Sequence, residues 1–154
     1  MNISAEVRGA AETQRELERV ATGLHGQAVM SRMRQATLLV SRDAKLLAPV
    51  DTGRLRASIT PAIRLDGNDV IGVVGTNVEY AAAAEVGSKP HWPPRGALET
   101  WAKRHGMGVF LVQRAIARRG TKPRKYLQGA FEKNKAKIRA LIGNAVSNVV
   151  NNKS

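Results

Sequence analysis

The chain of 154 residues contains no cysteine. Disulfides, zinc–thiolate centres and a thiol nucleophile are therefore excluded, and synthesis in a reducing cytoplasm is favoured. Aromatic residues make up only 4% of the chain, so a platform for stacking bases is poorly supplied. No stretch approaches about 18 apolar residues, and the N-terminus lacks the apolar segment of a signal peptide, so we expect no contact with the membrane interior.

Acidic residues are scarce in the last third of the chain. Residues 1–99 carry 12 Lys and Arg against 11 Asp and Glu, whereas residues 100–154 carry 13 against one, Glu132. Nearly all of the net charge of +13 therefore lies in the last third. This asymmetry favours an acidic partner, which is nucleic acid, an anionic membrane face or a negatively charged protein surface, but it does not choose among them.

The spacing of apolar residues predicts a long helix followed by a hairpin. A weakly alternating segment at 2–7 and a helical, charged segment at 10–20 come first. A helix over 27–48 is predicted to end at Pro49. Two apolar segments flank the turn signal DGND and predict an antiparallel hairpin over 57–76, with Pro61 at an edge or a bulge. The apolar stripe of the helix comprises Val29, Met33, Ala36, Val40, Ala44 and Leu47.

The remaining segments are predicted to be mostly helical. Asn77 is expected to cap a helix that Gly87 ends, and Pro93 and Pro94 are expected to open the next one. Gly106 and Gly108 separate that helix from a helix over 109–119, and a last helix spans 125–150. Its predicted apolar stripe comprises Leu127, Phe131, Ile138, Leu141, Ala145 and Val149. The sum is one α+β domain over residues 1–150, with a small antiparallel sheet packed against a long helix, a helical basic C-terminal third and a frayed tail at 151–154.

The tripeptide Asp51-Thr52-Gly53 has the sequence that carries the catalytic carboxylate in aspartic proteases. Such an enzyme needs two carboxylates a few ångströms apart, which this chain could supply only as a symmetric dimer. Arg54 and Arg56 follow at once and would keep the carboxylate ionised. In the simpler interpretation Asp51 or Thr52 accepts backbone N–H bonds in a tight turn, and Gly53 adopts an unusual φ. We therefore predict a backbone clasp at position 51, and no protease.

Other candidates for chemistry are weaker. Histidines 25, 91 and 105 lie in separate segments without a carboxylate at ligand spacing, so no metal site is predicted. No nucleophile elbow and no phosphate-binding glycine loop is present, so no cofactor and no small-molecule substrate is expected. Trp92 and Trp101 are interpreted as packing anchors. The segment RRGTKPRK over 118–125 is suited to phosphate or to an acidic protein, and its five cations are Arg118, Arg119, Lys122, Arg124 and Lys125.

Three ordered motifs resemble a known family, the phage neck and tail-completion proteins typified by gene product ten of phage HK-ninety-seven. The motifs are AKLLAPVDTGRLRASI at 44–59, VGTNVEYAAAAEVGS at 74–88 and KPRKYLQGAF at 122–131. Residues 89–121 look like an insertion carried by one branch of the family. The matching positions to which the resemblance assigns a structural or assembly role are Pro49, Asp51, Thr52, Gly53, Leu55, Arg56, Tyr80, Glu85 and Gly87.

The resemblance implies an α+β fold and a non-enzymatic virion protein at the head–tail junction of a long-tailed phage or prophage, made in the host bacterial cytoplasm. Its implied partners are itself, in a ring of six, and the neighbouring neck and tail proteins, with a weak contact to packaged DNA. We expect the first two motifs to lie together, with Glu85 near Arg54 or Arg56 within or between subunits. The alternative hypothesis is a small basic nucleic-acid-binding protein, which the charge of the last third favours.

Overall fold

The computed structural model describes residues 26–67 and 69–151. The segments at 2–7 and 10–20 that we predicted to be a strand and a helix lie outside these residues. The described residues form six helices and a sheet of two strands, which confirms the predicted α+β class. In chain order the elements are α1 Gln27–Leu47, α2 Arg54–Ser58, β1 Thr60–Asp66, β2 Asp69–Gly75, α3 Ala81–Val86, α4 Arg95–Arg104, α5 Val109–Arg119 and α6 Tyr126–Asn151.

The chain divides into two compact units that are both discontinuous in sequence. One unit consists of three segments, which are the chain up to Val40, the segment Pro61–Val74 and the chain from Lys133. The other contains Ser41–Thr60 and Gly75–Glu132. The long helices α1 and α6 each contribute residues to both units, and one domain over 1–150 stays a prediction.

In the first unit the hairpin packs against the N-terminal part of α1. Strands β1 and β2 pair around a turn that places Gly67 at φ 55°, as the DGND signal predicts. A Cβ at Gly72 on β2 would lie 2.6 Å from Thr37 Cγ2 and 2.8 Å from Met33 Sδ on α1. Glycine therefore lets the strand lie this close to the helix without displacing these two side chains, and the predicted packing of a small sheet on a long helix is confirmed.

The second unit is a cluster of short helices with a core of small side chains. Ala44 in the last turn of α1, Ala48 directly after it and Ala102 on α4 are nearly inaccessible to solvent. Leu55 and Ile59 are the larger buried aliphatic groups, exposed by 2% and 0%. Alanine side chains are small, so these three positions add little apolar volume to the core.

Helices α4 and α5 form a hairpin in the region predicted to be an insertion. Pro94 precedes the first turn of α4, and α5 runs from Val109 to Arg119, as predicted. The two helices pack against each other. The side-chain amide of Gln113, which is buried, donates from Nε2 to the carbonyl of Pro93 at 2.9 Å. This bond ties the start of the hairpin to α5.

Some local predictions are wrong. Asn77 does not cap α3, which begins later and has Tyr80 at its N-cap without a side-chain bond. Leu47 is 49% exposed, and the buried stripe of α1 continues to Ala48 instead. Trp92 is 55% exposed, so its predicted role as a packing anchor is wrong for the part of the chain that the structure describes.

The predicted register of α6 is shifted by one residue in its first turns. The buried positions are Tyr126, Ala130 and Asn134, whereas Phe131 is 47% exposed. In this rotation Gly129 faces the end of α1, since a Cβ built on it would lie 3.4 Å from Leu47 Cδ1. Leu127, Ile138 and Leu141 are half-buried, and Ala145 is buried as predicted. The side chain of Val149 lies outside the described part.

Candidate functional site

The carboxylate of Glu85 caps the N-terminus of α6. Its two oxygens accept the backbone N–H of Leu127 at 2.8 Å and of Gln128 at 2.9 Å. The first N–H groups of a helix have no partner inside the helix, and a negative charge there interacts favourably with the helix dipole. Glu85 thus joins the end of the second sequence motif to the start of α6 in the third motif.

Backbone hydrogen bonds reinforce the same junction. The N–H of Arg124 donates to the carbonyl of Ala84 at 2.9 Å, and the N–H of Lys125 donates to the carbonyl of Glu85 at 3.0 Å. These bonds satisfy carbonyl groups at the end of α3 that would otherwise lack a partner. Lys125 adopts φ 50°, which is uncommon for a residue other than glycine, asparagine or aspartate.

Two glycines let the chain segments at 87–88 and 120–121 come into direct contact. Ser88 and Thr121 form an antiparallel bridge with N–H···O distances of 3.2 and 3.1 Å. Gly87 has φ 75° and Gly120 has φ 67°. A Cβ at Gly87 would overlap the carbonyl oxygen of Thr121, and a Cβ at Gly120 would overlap that of Ser88. Both positions therefore require glycine for conformation and for space.

Hydroxyl groups add to this bridge. The Thr121 hydroxyl donates to Ser88 Oγ at 3.0 Å, and the Thr121 N–H also lies 3.2 Å from Ser88 Oγ. We name the contacts of Glu85, Gly87 and Ser88 with residues 120–128 the α3–α6 lock. In the lock, the Glu85 carboxylate binds backbone N–H groups, and the Ser88 and Thr121 hydroxyls bind each other. Such contacts are typical of a structural joint.

Tyr126 lies at the base of the lock and is fully buried. Its hydroxyl finds no hydrogen-bond partner among the described residues. Burial raises the pKa of Tyr126 above its ordinary value of 10.0, and the charges of Glu85 and Tyr80 raise it further. The phenol is therefore neutral at physiological pH and fills space in the core.

The carboxylate of Asp51 pairs with side chains and does not act as the predicted backbone clasp. Arg104 Nη2 at the end of α4 donates to Asp51 Oδ2, and His105 Nε2 lies 4.0 Å from Oδ1. The His105 ring stacks on Trp101 with 4.3 Å between ring centroids. The arginine was not foreseen from the sequence, because it lies in the insertion far along the chain. This ion pair joins the first motif to α4.

The rest of the first motif forms the predicted tight turn. Thr52 Oγ1 accepts the N–H of Arg54 at 3.4 Å, and Gly53 has φ 80°. Pro49 is half-buried, and Arg56 is exposed. Leu55 anchors the turn, since it is 2% exposed. The prediction of Thr52 as an acceptor and of an unusual φ at Gly53 is confirmed.

The first two motifs meet through hydroxyl groups. Ser58 Oγ lies 2.6 Å from Thr76 Oγ1, and Ser58 Oγ also donates to the carbonyl of Leu55 at 2.9 Å. Glu85 does not pair with Arg54 or Arg56 within the part of one chain that the structure describes, because its carboxylate is occupied by the α6 N–H groups. A pairing between subunits stays a prediction.

The basic residues of the predicted contact segment are all exposed. Arg118 and Arg119 form the last turn of α5, where cations are favoured by the helix dipole. Lys122, Arg124 and Lys125 follow in the loop, and the backbone of the last two takes part in the lock. In this segment the backbone groups of Arg124 and Lys125 are used inside the chain, whereas the charged side chains are exposed.

The lock could have been found from one signal in the sequence that was missed. Glycine is followed by a hydroxyl residue at Gly87-Ser88 and again at Gly120-Thr121, each time directly after a helix. Within residues 26–67 and 69–151, no group of three or more His, Cys, Asp or Glu could hold a metal ion. Among the helices of the same residues, none has both the length and the apolar character that a membrane span requires.

Comparison with known proteins identifies the first half of the chain. Residues 11–87 match the model of a family described as "Bacteriophage HK97-gp10, putative tail-component". The match covers half of the 154 residues and contains the first motif and all but the last residue of the second. It ends at Gly87, in the middle of the lock. No curated protein and no solved structure matches the chain. The chain therefore belongs to the HK97 gp10-like family, which is described as comprising tail components of bacteriophages.

Proposed function

We propose that this protein is a non-enzymatic subunit of the phage head–tail junction. In this proposal, six copies form a ring that joins the capsid connector to the tail. Membership of a tail-component family supports a structural role in the tail. A ring subunit needs surfaces that bind neighbouring proteins, since a heterologous contact that closes on rotation generates a ring.

The observation that carries the proposal is the placement of the aromatic residues. The chain has six, and four of them are 47–61% exposed: Tyr80, Trp92, Phe110 and Phe131. Half of the fourteen buried apolar side chains of the described residues are alanine. Large apolar groups on the surface mark sites of protein contact, and aromatic residues are enriched there. This distribution suits a subunit that completes its apolar packing on assembly.

The lock and the Asp51–Arg104 pair suit a rigid building block. Asp51, Thr52, Gly53 and Glu85 make their contacts within the chain, where they hold helices together. We assign the motif positions this role, in which they keep the interface surfaces in fixed relative positions inside the second unit. The preorganisation of a surface lowers the conformational cost of binding.

Deletion of the gene from the phage or prophage tests the role. We expect filled heads and separate tails in electron micrographs, and we expect the purified wild-type virion to contain the protein in a ratio of about six to one connector. Light scattering after gel filtration measures the ring in isolation. Joined, infectious particles without the protein would refute the proposal.

A second candidate function is binding of nucleic acid. Residues 100–131 carry eight Lys and Arg and no Asp or Glu. Neutralising several phosphates would give an affinity that falls steeply with salt. A titration of duplex DNA at about 0.05 and 0.2 M salt distinguishes the two candidates. A monomer with submicromolar affinity and a steep salt slope would favour nucleic acid, and weak binding by a ring would favour the junction.

A further inference from the structure

The outward side of α5 combines large apolar groups with cations. Phe110, Arg114 and Arg118 are spaced by four residues, so they line one side of the helix. Leu111 lies three residues before Arg114 and extends the same side. Phe110 and Leu111 are 61% and 62% exposed, and both arginines are exposed. The opposite side of α5 is turned inward, with Val112 and Gln113 buried.

Trp92 enlarges this surface from a neighbouring loop. Its ring lies 6.0 Å from that of Phe110, at an interplanar angle of 60°. The carbonyl of the next residue, Pro93, accepts the buried amide of Gln113, so the loop is fixed to α5. We name Trp92, Phe110, Leu111, Arg114 and Arg118 the α5 face. Tryptophan, other aromatic residues and arginine are the types most enriched at interface centres.

The charge around the α5 face indicates the chemistry of its partner. No Asp or Glu occurs between Glu99 and Glu132, so the two arginines have no compensating anion in their own segment. A symmetric contact between two copies would bring like charges together at this face. Residues 1–99, with 12 cations and 11 anions, offer no acidic excess for a head-to-tail contact either.

Nucleic acid fits the α5 face less well than protein does. Cations bind phosphate without needing aliphatic neighbours. Leu111, which is 62% exposed beside Phe110 and the two arginines, gains nothing from a phosphate backbone, whereas it would be buried against an apolar protein surface.

We propose that the α5 face binds a different virion protein through an apolar patch bordered by carboxylates. This inference rests on the proposed function and adds to it the surface used and the nature of the partner. Phe110, Leu111 and Trp92 occupy the centre of the contact, and Arg114 and Arg118 pair with the partner's carboxylates.

Photo-crosslinking in assembled virions tests the proposal. Leu111→p-benzoylphenylalanine is compared with the same replacement at Leu65, which is 56% exposed on β1. We expect the Leu111 variant to give one adduct with a second virion protein, at an apolar site flanked by Asp or Glu, and the Leu65 variant not to give it. An adduct only with another copy or with DNA, or no adduct although the protein is in the virion, would overturn the proposal. Absence of the wild-type protein from virions would instead overturn the proposed function, and this inference with it.

Charge reversal gives a second measurement. Arg114→Glu with Arg118→Glu should reduce the yield of joined particles by about tenfold or more, because carboxylates would then face carboxylates. Lys137→Glu with Arg139→Glu is the matched control, since it makes the same charge change at exposed positions on α6. We expect this control to stay within about twofold of wild type. Equal losses in both variants, with circular dichroism confirming that both fold, would show that net charge matters and the α5 face does not.

Discussion

Removal of the Glu85 carboxylate is the sharpest test of the α3–α6 lock. Glu85→Ala leaves the N–H groups of Leu127 and Gln128 without the acceptors that now lie at 2.8 and 2.9 Å. Loss of a helix cap costs about 0.5–2 kcal/mol, and loss of a negative charge beside the helix N-terminus costs about 0.3–1 kcal/mol. Glu85 is half-buried, so water replaces part of the lost bonding. We therefore expect the free energy of unfolding to fall by about 1–2 kcal/mol.

Urea denaturation followed by circular dichroism measures this change. For a chain of this length each kcal/mol corresponds to about 2–4 °C in Tm, so the thermal shift should be about 2–8 °C. Glu85→Gln should lie between wild type and Glu85→Ala, because the amide keeps one acceptor but loses the charge. Glu79→Ala is the control, since Glu79 is exposed and outside the lock. A loss below about 0.5 kcal/mol in Glu85→Ala, or an equal loss in the control, would refute the assignment.

Three further substitutions test the remaining features. Gly120→Ala should lower the free energy of unfolding by more than about 2 kcal/mol, because its Cβ would overlap backbone. Gly143→Ala, in open space on α6, should instead raise it by about 0.5–1 kcal/mol. Thermal denaturation that ranks the two variants in the other order would contradict the lock. Tyr126→Phe should be neutral or stabilising by up to about 1 kcal/mol at neutral pH, since the hydroxyl has no described partner. Because the pKa of Tyr126 is raised on folding, the unfolded chain ionises first, so wild type should lose stability relative to Tyr126→Phe as pH rises above about 10, and parallel pH profiles would be the contrary result. Asp51→Asn should cost no more than about 1 kcal/mol, because the pair with Arg104 is partly exposed; acid-pH cleavage of a denatured protein by wild type alone would restore the protease hypothesis.

Local sequence signals predicted most of the elements and part of the site. Pro49, Gly87 and Gly108 mark element ends because proline and glycine restrict or extend backbone conformation within a few residues. The hairpin and the bounds of α5 were found for the same reason. The family motifs correctly indicated a tail component, and the structure brings the residues of the second and third motifs together.

Contacts between distant segments could not be predicted from one sequence. The periodicity of α6 is compatible with more than one rotation. In the observed one, Glu85 binds the first N–H groups of the helix and Tyr126 is buried. Arg104 as the partner of Asp51 depends on how α4 folds back, which no local pattern specifies. Pattern reasoning also assigned Trp92 to a core, because a large apolar residue is usually buried when no partner is considered.

The Ser88–Thr121 bridge has an evolutionary consequence. Since the two residues are hydrogen bonded across 3.1 and 3.2 Å, the polypeptide enters and leaves the α4–α5 hairpin at nearly the same point. The intervening segment can therefore be exchanged as a unit, because its removal leaves two chain ends that are already adjacent. Relatives can therefore gain, lose or change the α4–α5 hairpin, and with it the protein that they bind, while the rest of the fold stays constant.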